Sequence, residues 1–145
     1  VKEGSLPLMK EIHIFIDLCA TGTKQERNDK INRLIQGVYS IAMFMIESGI
    51  PQAYIWYDKV NGVIQEYSVE QEEELYWMFQ ELFRSKTTTE ESELMEAYVD
   101  WGKGRLLESA LYLTVADHES LDSGNLVRDR LEVMDLRGDV IEDQE

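Results

Sequence analysis

The run Ile12-His13-Ile14-Phe15-Ile16, followed at once by Asp17, constrains the fold more than any other feature of the chain. It is short, rich in β-branched residues and nearly continuous in apolar side chains. A strand reads this way when both of its faces are buried, as in a parallel sheet covered by helices on two sides. Asp17 then stands at the carboxyl edge of a central strand.

The segments that follow alternate with that strand. After a polar loop, Thr21 to Gln25, the stretch from about Asn28 to Ser48 carries Ile31, Leu34, Ile35, Val38, Ile41, Ala42, Met45 and Ile46 at helical spacing. Tyr39, Met43 and Phe44 widen the stripe, so this helix is expected to be buried around much of its circumference. Gly49 supplies a C-cap, and Pro51 blocks continuation. Residues 53–57 and 63–67 read as strands joined through Asn61-Gly62, a strong hairpin signal. Ser68 to Gln71 and Thr88 to Glu91 match capping boxes, each ahead of an apolar helical face: Leu75, Met78, Phe79, Leu82 and Phe83 for the first, and Leu94, Met95, Tyr98 and Trp101 for the second. Leu111 to Ala116 forms another central strand, ending at Asp117. Beyond it, a helix from Asn125 through Leu131 and Met134, then a strand at 139–142, is preferred over a hairpin of 131–136 with 140–142, because Leu126, Val127, Leu131 and Met134 share one helical face.

The expected architecture is therefore α/β: three layers, with a mostly parallel central sheet and one antiparallel hairpin at an edge, a Rossmann-like arrangement. The 145 residues fit one domain. The chain begins without Met, so it is read as excised from a larger protein.

Charge narrows the partners. The formal net charge is −15. That disfavours nucleic acid, whose phosphates are held by Lys and Arg clusters, and it disfavours anionic membrane surfaces. It suits a basic protein partner, although solubility alone is the commoner reason for excess acid. The single cysteine, Cys19, rules out an intrachain disulfide. No apolar run reaches the ~20 residues of a membrane span, and the first residues do not read as a signal peptide. The expected location is the cytoplasm or the cytoplasmic face of a membrane.

Ligands of open α/β sheets sit at the carboxyl ends of the strands, near the point where strand order reverses. Asp17 and Asp117 both end central strands, and their carboxylates converge if those strands are neighbours. Asp17-Leu18-Cys19-Ala20-Thr21 has the spacing of Asp-x-Ser-x-Ser, and with the order of elements it resembles the metal loop of von Willebrand factor A domains. That resemblance implies Mg²⁺ held by Asp17, Thr21, a loop threonine (Thr87, Thr88 or Thr89) and Asp117. Mg²⁺ demands hard oxygen ligands. Cys19 replaces a hydroxyl with a soft thiol, so the expected site is degenerate. The bland reading makes Asp17 and Thr21 local caps and Cys19 a small packed hydrophobe.

Val1-Lys2-Glu3, Glu11 to Asp17, and the helix from Ile31 to Ser48 leading through Gly49 to a strand resemble the core of the bacterial family called domain of unknown function 58. The likeness runs to about Asp117 through diffuse patterns, and the family's Arg-x-Tyr-x-x-Gly-Asp segment is absent. It implies a von Willebrand A-like half of a larger, membrane-anchored protein working beside a MoxR-type AAA+ ATPase.

Other chemistries have less behind them. His13 reads as a core or face residue, and His118 has no nucleophile at a recognisable spacing. No glycine-rich phosphate loop occurs. Trp56, Trp77 and Trp101 lie in periodic segments and are expected in the core. The reading that follows is a non-catalytic interaction module, with Mg²⁺ or no cofactor. The alternative is a metal-dependent hydrolase of the PIN-like nuclease kind, using Asp17, Asp117 and Glu90 or Glu91.

Overall fold

A computed structural model describes residues 11–90, 93–102, 110–116 and 131–137. In it, β1 (Ile12–Ile16) is the middle strand of a five-stranded sheet ordered β3-β2-β1-β4-β5. The remaining strands are β2 (Gln52–Asp58), β3 (Val63–Val69), β4 (Ala110–Thr114) and β5 (Leu131–Asp135), and the helices are α1 (Lys24–Glu47), α2 (Glu72–Arg84) and α3 (Leu94–Gly102). β1 runs parallel to β2 and β4, and β4 runs parallel to β5. Among the described strands, β3 alone is antiparallel, paired to β2 at the edge, as the hairpin signal requires.

Strand alternation sorts the apolar side chains into two cores. Ile14, Ile16, Tyr54, Trp56 and Leu113 meet Leu34, Val38 and Ala42 of α1 and Leu75, Met78 and Leu82 of α2 on one face. Phe15, Ile55, Ala110 and Tyr112 meet Leu94, Met95 and Tyr98 of α3 on the other. Helices thus cover both faces, which makes the three layers and explains the continuous apolar character of β1. Tyr54 ties β2 to α1: its hydroxyl donates to Gln52 Oε1, and Gln52 Nε2 donates to Ala42 O at 3.4 Å. Burial raises the Tyr54 phenol above its usual range.

Several local readings are corrected. α1 starts at Lys24, inside the expected loop, because Thr23 and Glu26 form a capping box in which Thr23 Oγ1 accepts from Glu26 N–H and Glu26 Oε1 accepts from Thr23 N–H. Ser68 does not cap α2, since it is held in the ladder opposite Ala53. Gln71 is the cap, and Glu74 accepts the N–H groups of Glu70 and Gln71. Thr88 does not cap α3 either; it bridges to Cys19. α1 is less enclosed than its stripe suggested, with Tyr39 and Phe44 exposed. Phe83 is 64% exposed, and of the tryptophans only Trp56 is in the core, Trp77 and Trp101 being exposed. The exposed rings of Tyr39 and Phe83 each pack on Phe79, which is partly buried against the core, with centroids 6.4 and 5.6 Å apart.

Leu131 and Met134 lie in β5, not in a helix. Pairing with β4 overrides the helical spacing, and the ladder extends to the Leu136 N–H, which donates to Thr114 O. Contact with α1 holds this strand end: Arg33 Nη1 donates to Arg137 O at 2.7 Å, and Leu136 lies against Gly37, where a Cβ would sit 2.6 Å from its Cδ1. The expected helix start at Asn125 and the expected strand at 139–142 lie outside the described residues.

Candidate functional site

The chain leaves β1 toward β2 on one side and reaches β4 on the other, so strand order reverses between β1 and β4. A crevice at the carboxyl ends of such strands is the standard ligand position of open α/β sheets. Asp17 sits there, 3% exposed. Its backbone N–H continues the ladder to Leu113 O, its Oδ1 accepts from Cys19 N–H at 3.1 Å, and its Oδ2 accepts from the Thr114 hydroxyl at 3.0 Å. Thr114 Oγ1 also accepts the Ala116 N–H at 3.0 Å, a local turn that ends β4 before Val115.

The loop after Asp17 is pinned to the segment before α3. Thr88 N–H donates to Leu18 O, and Ala20 N–H donates to Thr88 O. Cys19 is buried, and its thiol donates to Glu90 O at 2.9 Å. Of the three loop threonines considered, Thr88 is the one brought beside Asp17. Together with Leu18, Tyr57, Lys59, Lys86 and Glu93, they border a cavity of about 20 Å³, room for a single water-sized species.

Thr21 is exposed and does not border that cavity; its carbonyl receives Lys30 Nζ at 3.0 Å. Asp117, Glu91 and His118 lie outside the described residues. Among the described cavity residues, Asp17, Thr88 and Glu93 offer hard oxygen atoms of the kind Mg²⁺ requires, while Lys59 and Lys86 bring ammonium groups that oppose a divalent cation. Glu90 is turned to Lys59, with Nζ to Oε1 at 2.6 Å, and Glu93 lies 3.8 Å from the same nitrogen. The pairing raises the Lys59 ammonium pKa and lowers that of the Glu90 carboxyl. Glu90 therefore serves an ion pair and not a carboxylate cluster with Asp17.

Beside this edge, the end of β2, the start of β3 and the last turn of α3 enclose an open groove of about 420 Å³. Tyr57, Ile64 and Trp101 form its apolar walls and Asp100 its acid. Trp101 is 47% exposed and packs on Tyr98 at a centroid distance of 5.7 Å. Sequence reading assigned Trp101 to the core, because helical spacing cannot tell a covered face from one left open at the end of a short helix.

A third cluster lies at the opposite end of β1. Glu11, His13 and Glu66 are half-buried, and one ligand atom from each lies within 4.8 Å of the others. Glu11 and His13 share a face by strand alternation. Glu66 joins them only through the β1-β2-β3 order, which no local pattern reveals.

Among the described residues, no helix is long and apolar enough to cross a membrane. No family model, curated protein or solved structure matches this chain.

Proposed function

We propose that this chain is a non-catalytic protein-interaction module of the von Willebrand A-like kind, whose carboxyl-edge surface takes a basic segment of a protein partner. The observation that carries the reading is the groove of Tyr57, Ile64, Asp100 and Trp101 beside the crevice at Asp17. Aromatic faces with an adjacent carboxylate attract guanidinium and ammonium groups, and each cation–π contact is worth about 0.5–2 kcal/mol. A chain of net charge −15 steers a basic partner toward it. Support for the von Willebrand A-like kind comes from the strand order, the edge hairpin and the approach of Thr88 to Asp17. Within this reading, the Asp17–Thr88 region is a degenerate relative of an adhesion-type metal site, and its remaining members, Thr21 and Asp117, belong to the proposal. So do the AAA+ ATPase partner, which the family resemblance suggests as the first to try, and a position at the cytoplasmic face of a membrane.

Fluorescence polarisation with a labelled arginine-rich dodecapeptide tests it. Trp101→Ala and Asp100→Lys are expected to weaken binding about twofold to thirtyfold, the range that corresponds to the energies of such contacts. Phe83→Ala, on another surface, is expected to leave it unchanged. Equal affinities for wild type, Trp101→Ala and Asp100→Lys would sink the proposal.

A further inference from the structure

We infer that Glu11, His13 and Glu66 form a binding site for a divalent transition ion of the zinc class, at the end of the sheet away from the carboxyl edge. The ladder builds the site. His13 pairs with Ala53 of β2, which pairs in turn with Ser68 of β3. These residues lie on one face in one row, and Glu66, two residues before Ser68, points to the same face. Ala53 of β2, between His13 and Ser68, is buried and carries only a methyl group, which leaves room above that row. Glu11 reaches over it, and its Oε2 accepts from the Ser68 hydroxyl at 2.9 Å. Side chains from two strands that do not touch thereby converge above a third.

The donor set decides the class of ion. One imidazole nitrogen with two carboxylates suits zinc, or its neighbours among the divalent transition metals, better than Mg²⁺ or Ca²⁺, which take oxygen alone. Donors around a tetrahedral zinc ion stand about 3.4 Å apart, as bond lengths of roughly 2.1 Å require. The present separations, up to 4.8 Å, close to that value by rotation of the two flexible glutamates. Two carboxylates and a neutral imidazole bring a charge of about −2 to a divalent ion, so binding removes the repulsion between the acids. Three protein donors leave a fourth position for water. His13, rated a core or face residue on the sequence, becomes a ligand in this assignment.

Isothermal titration of the whole chain with Zn²⁺ tests the site, with circular dichroism confirming that each variant is folded. Wild type is expected to bind one equivalent in the micromolar range or tighter. His13→Gln and Glu66→Gln are expected to lose at least tenfold in affinity, and His118→Gln, which removes the other imidazole, is expected to bind as wild type does. Affinity should fall as the solution is acidified, because protons compete with the ion for the three donors. Absence of saturable Zn²⁺ binding below 100 µM overturns the assignment, and so does unchanged affinity in both His13→Gln and Glu66→Gln. Loss of binding in His118→Gln alone would place the ion elsewhere and overturn it equally.

Discussion

Replacing Thr114 by valine exchanges one hydroxyl for a methyl of nearly the same volume, so packing stays close to constant. Two buried groups lose a partner. Asp17 Oδ2 loses the donor at 3.0 Å, and the Ala116 N–H loses the acceptor at 3.0 Å. Leaving a buried polar group without its partner costs about 1–3 kcal/mol, more for a charged one. The cavity of about 20 Å³ beside Asp17 has room for one water, which would compensate part of the loss at the carboxylate. The net expectation is a destabilisation of about 2–4 kcal/mol, a large share of the 5–15 kcal/mol typical of a domain. Thr114→Ser keeps the hydroxyl and loses only a methyl, which costs about 1 kcal/mol. Urea unfolding followed by tryptophan fluorescence separates the two. With a slope near 2 kcal/mol per molar, valine should lower the midpoint by about 1–2 M and serine by about 0.5 M. If valine is no more destabilising than serine, the hydroxyl does not hold the switch-point loop, and the account of Asp17 as a pinned residue is wrong.

Adjacent residues of α2 offer a contrast: Leu82→Ala should cost about 2–5 kcal/mol by opening a cavity, while Phe83→Ala, 64% exposed, should change stability by less than about 1 kcal/mol in the same urea assay. Gly62→Ala should destabilise by about 1–2 kcal/mol, because residue 62 has φ +68° and its N–H closes the hairpin on Asp58 O; thermal melts check this. Gly37→Ala should gain about 1 kcal/mol of helix stability in a Leu136→Ala background and gain less in wild type, where Leu136 must move aside. The Thr23 cap lowers the Glu26 carboxyl pKa, so the stability it contributes is present above the ordinary glutamate range and is lost as pH falls through the lowered folded value. The difference in melting temperature between wild type and Glu26→Gln should therefore shrink as acid is added, and a difference independent of pH would count against the capping box.

Much of the fold is legible in local patterns. β1 announces itself because burial on both faces removes the need for alternation, and the Asn61-Gly62 pair marks the hairpin because only certain residues tolerate its backbone. α1 and its stop at Gly49, where φ is +71°, follow from spacing and from the freedom of glycine. The adjacency of β1 and β4 was a conditional expectation that the sheet order meets. Capping was read less well. The candidate boxes at Ser68 and Thr88 have the right letters, but the β2–β3 ladder claims Ser68 and an isolated bridge to Cys19 claims Thr88, while the box that forms at Thr23 and Glu26 falls in a polar stretch with no apolar stripe of its own. At residues 131–134 apolar spacing fitted a helix, and an available strand edge at β4 drew the same residues into the sheet.

What the sequence by itself determined is the set of elements whose signals are local: a doubly buried strand ending in an acid, helices with an apolar stripe, and a hairpin with its turn. Those signals act between residues a few positions apart. Tertiary structure alone decided which distant residues meet. It chose Thr88 among three threonines to stand by Asp17, turned Glu90 toward Lys59, left Trp101 open over a groove, and brought Glu66 across β2 to Glu11 and His13. Each of those meetings follows from strand order and register, which are set by the burial of two whole sheet faces and not by any one segment.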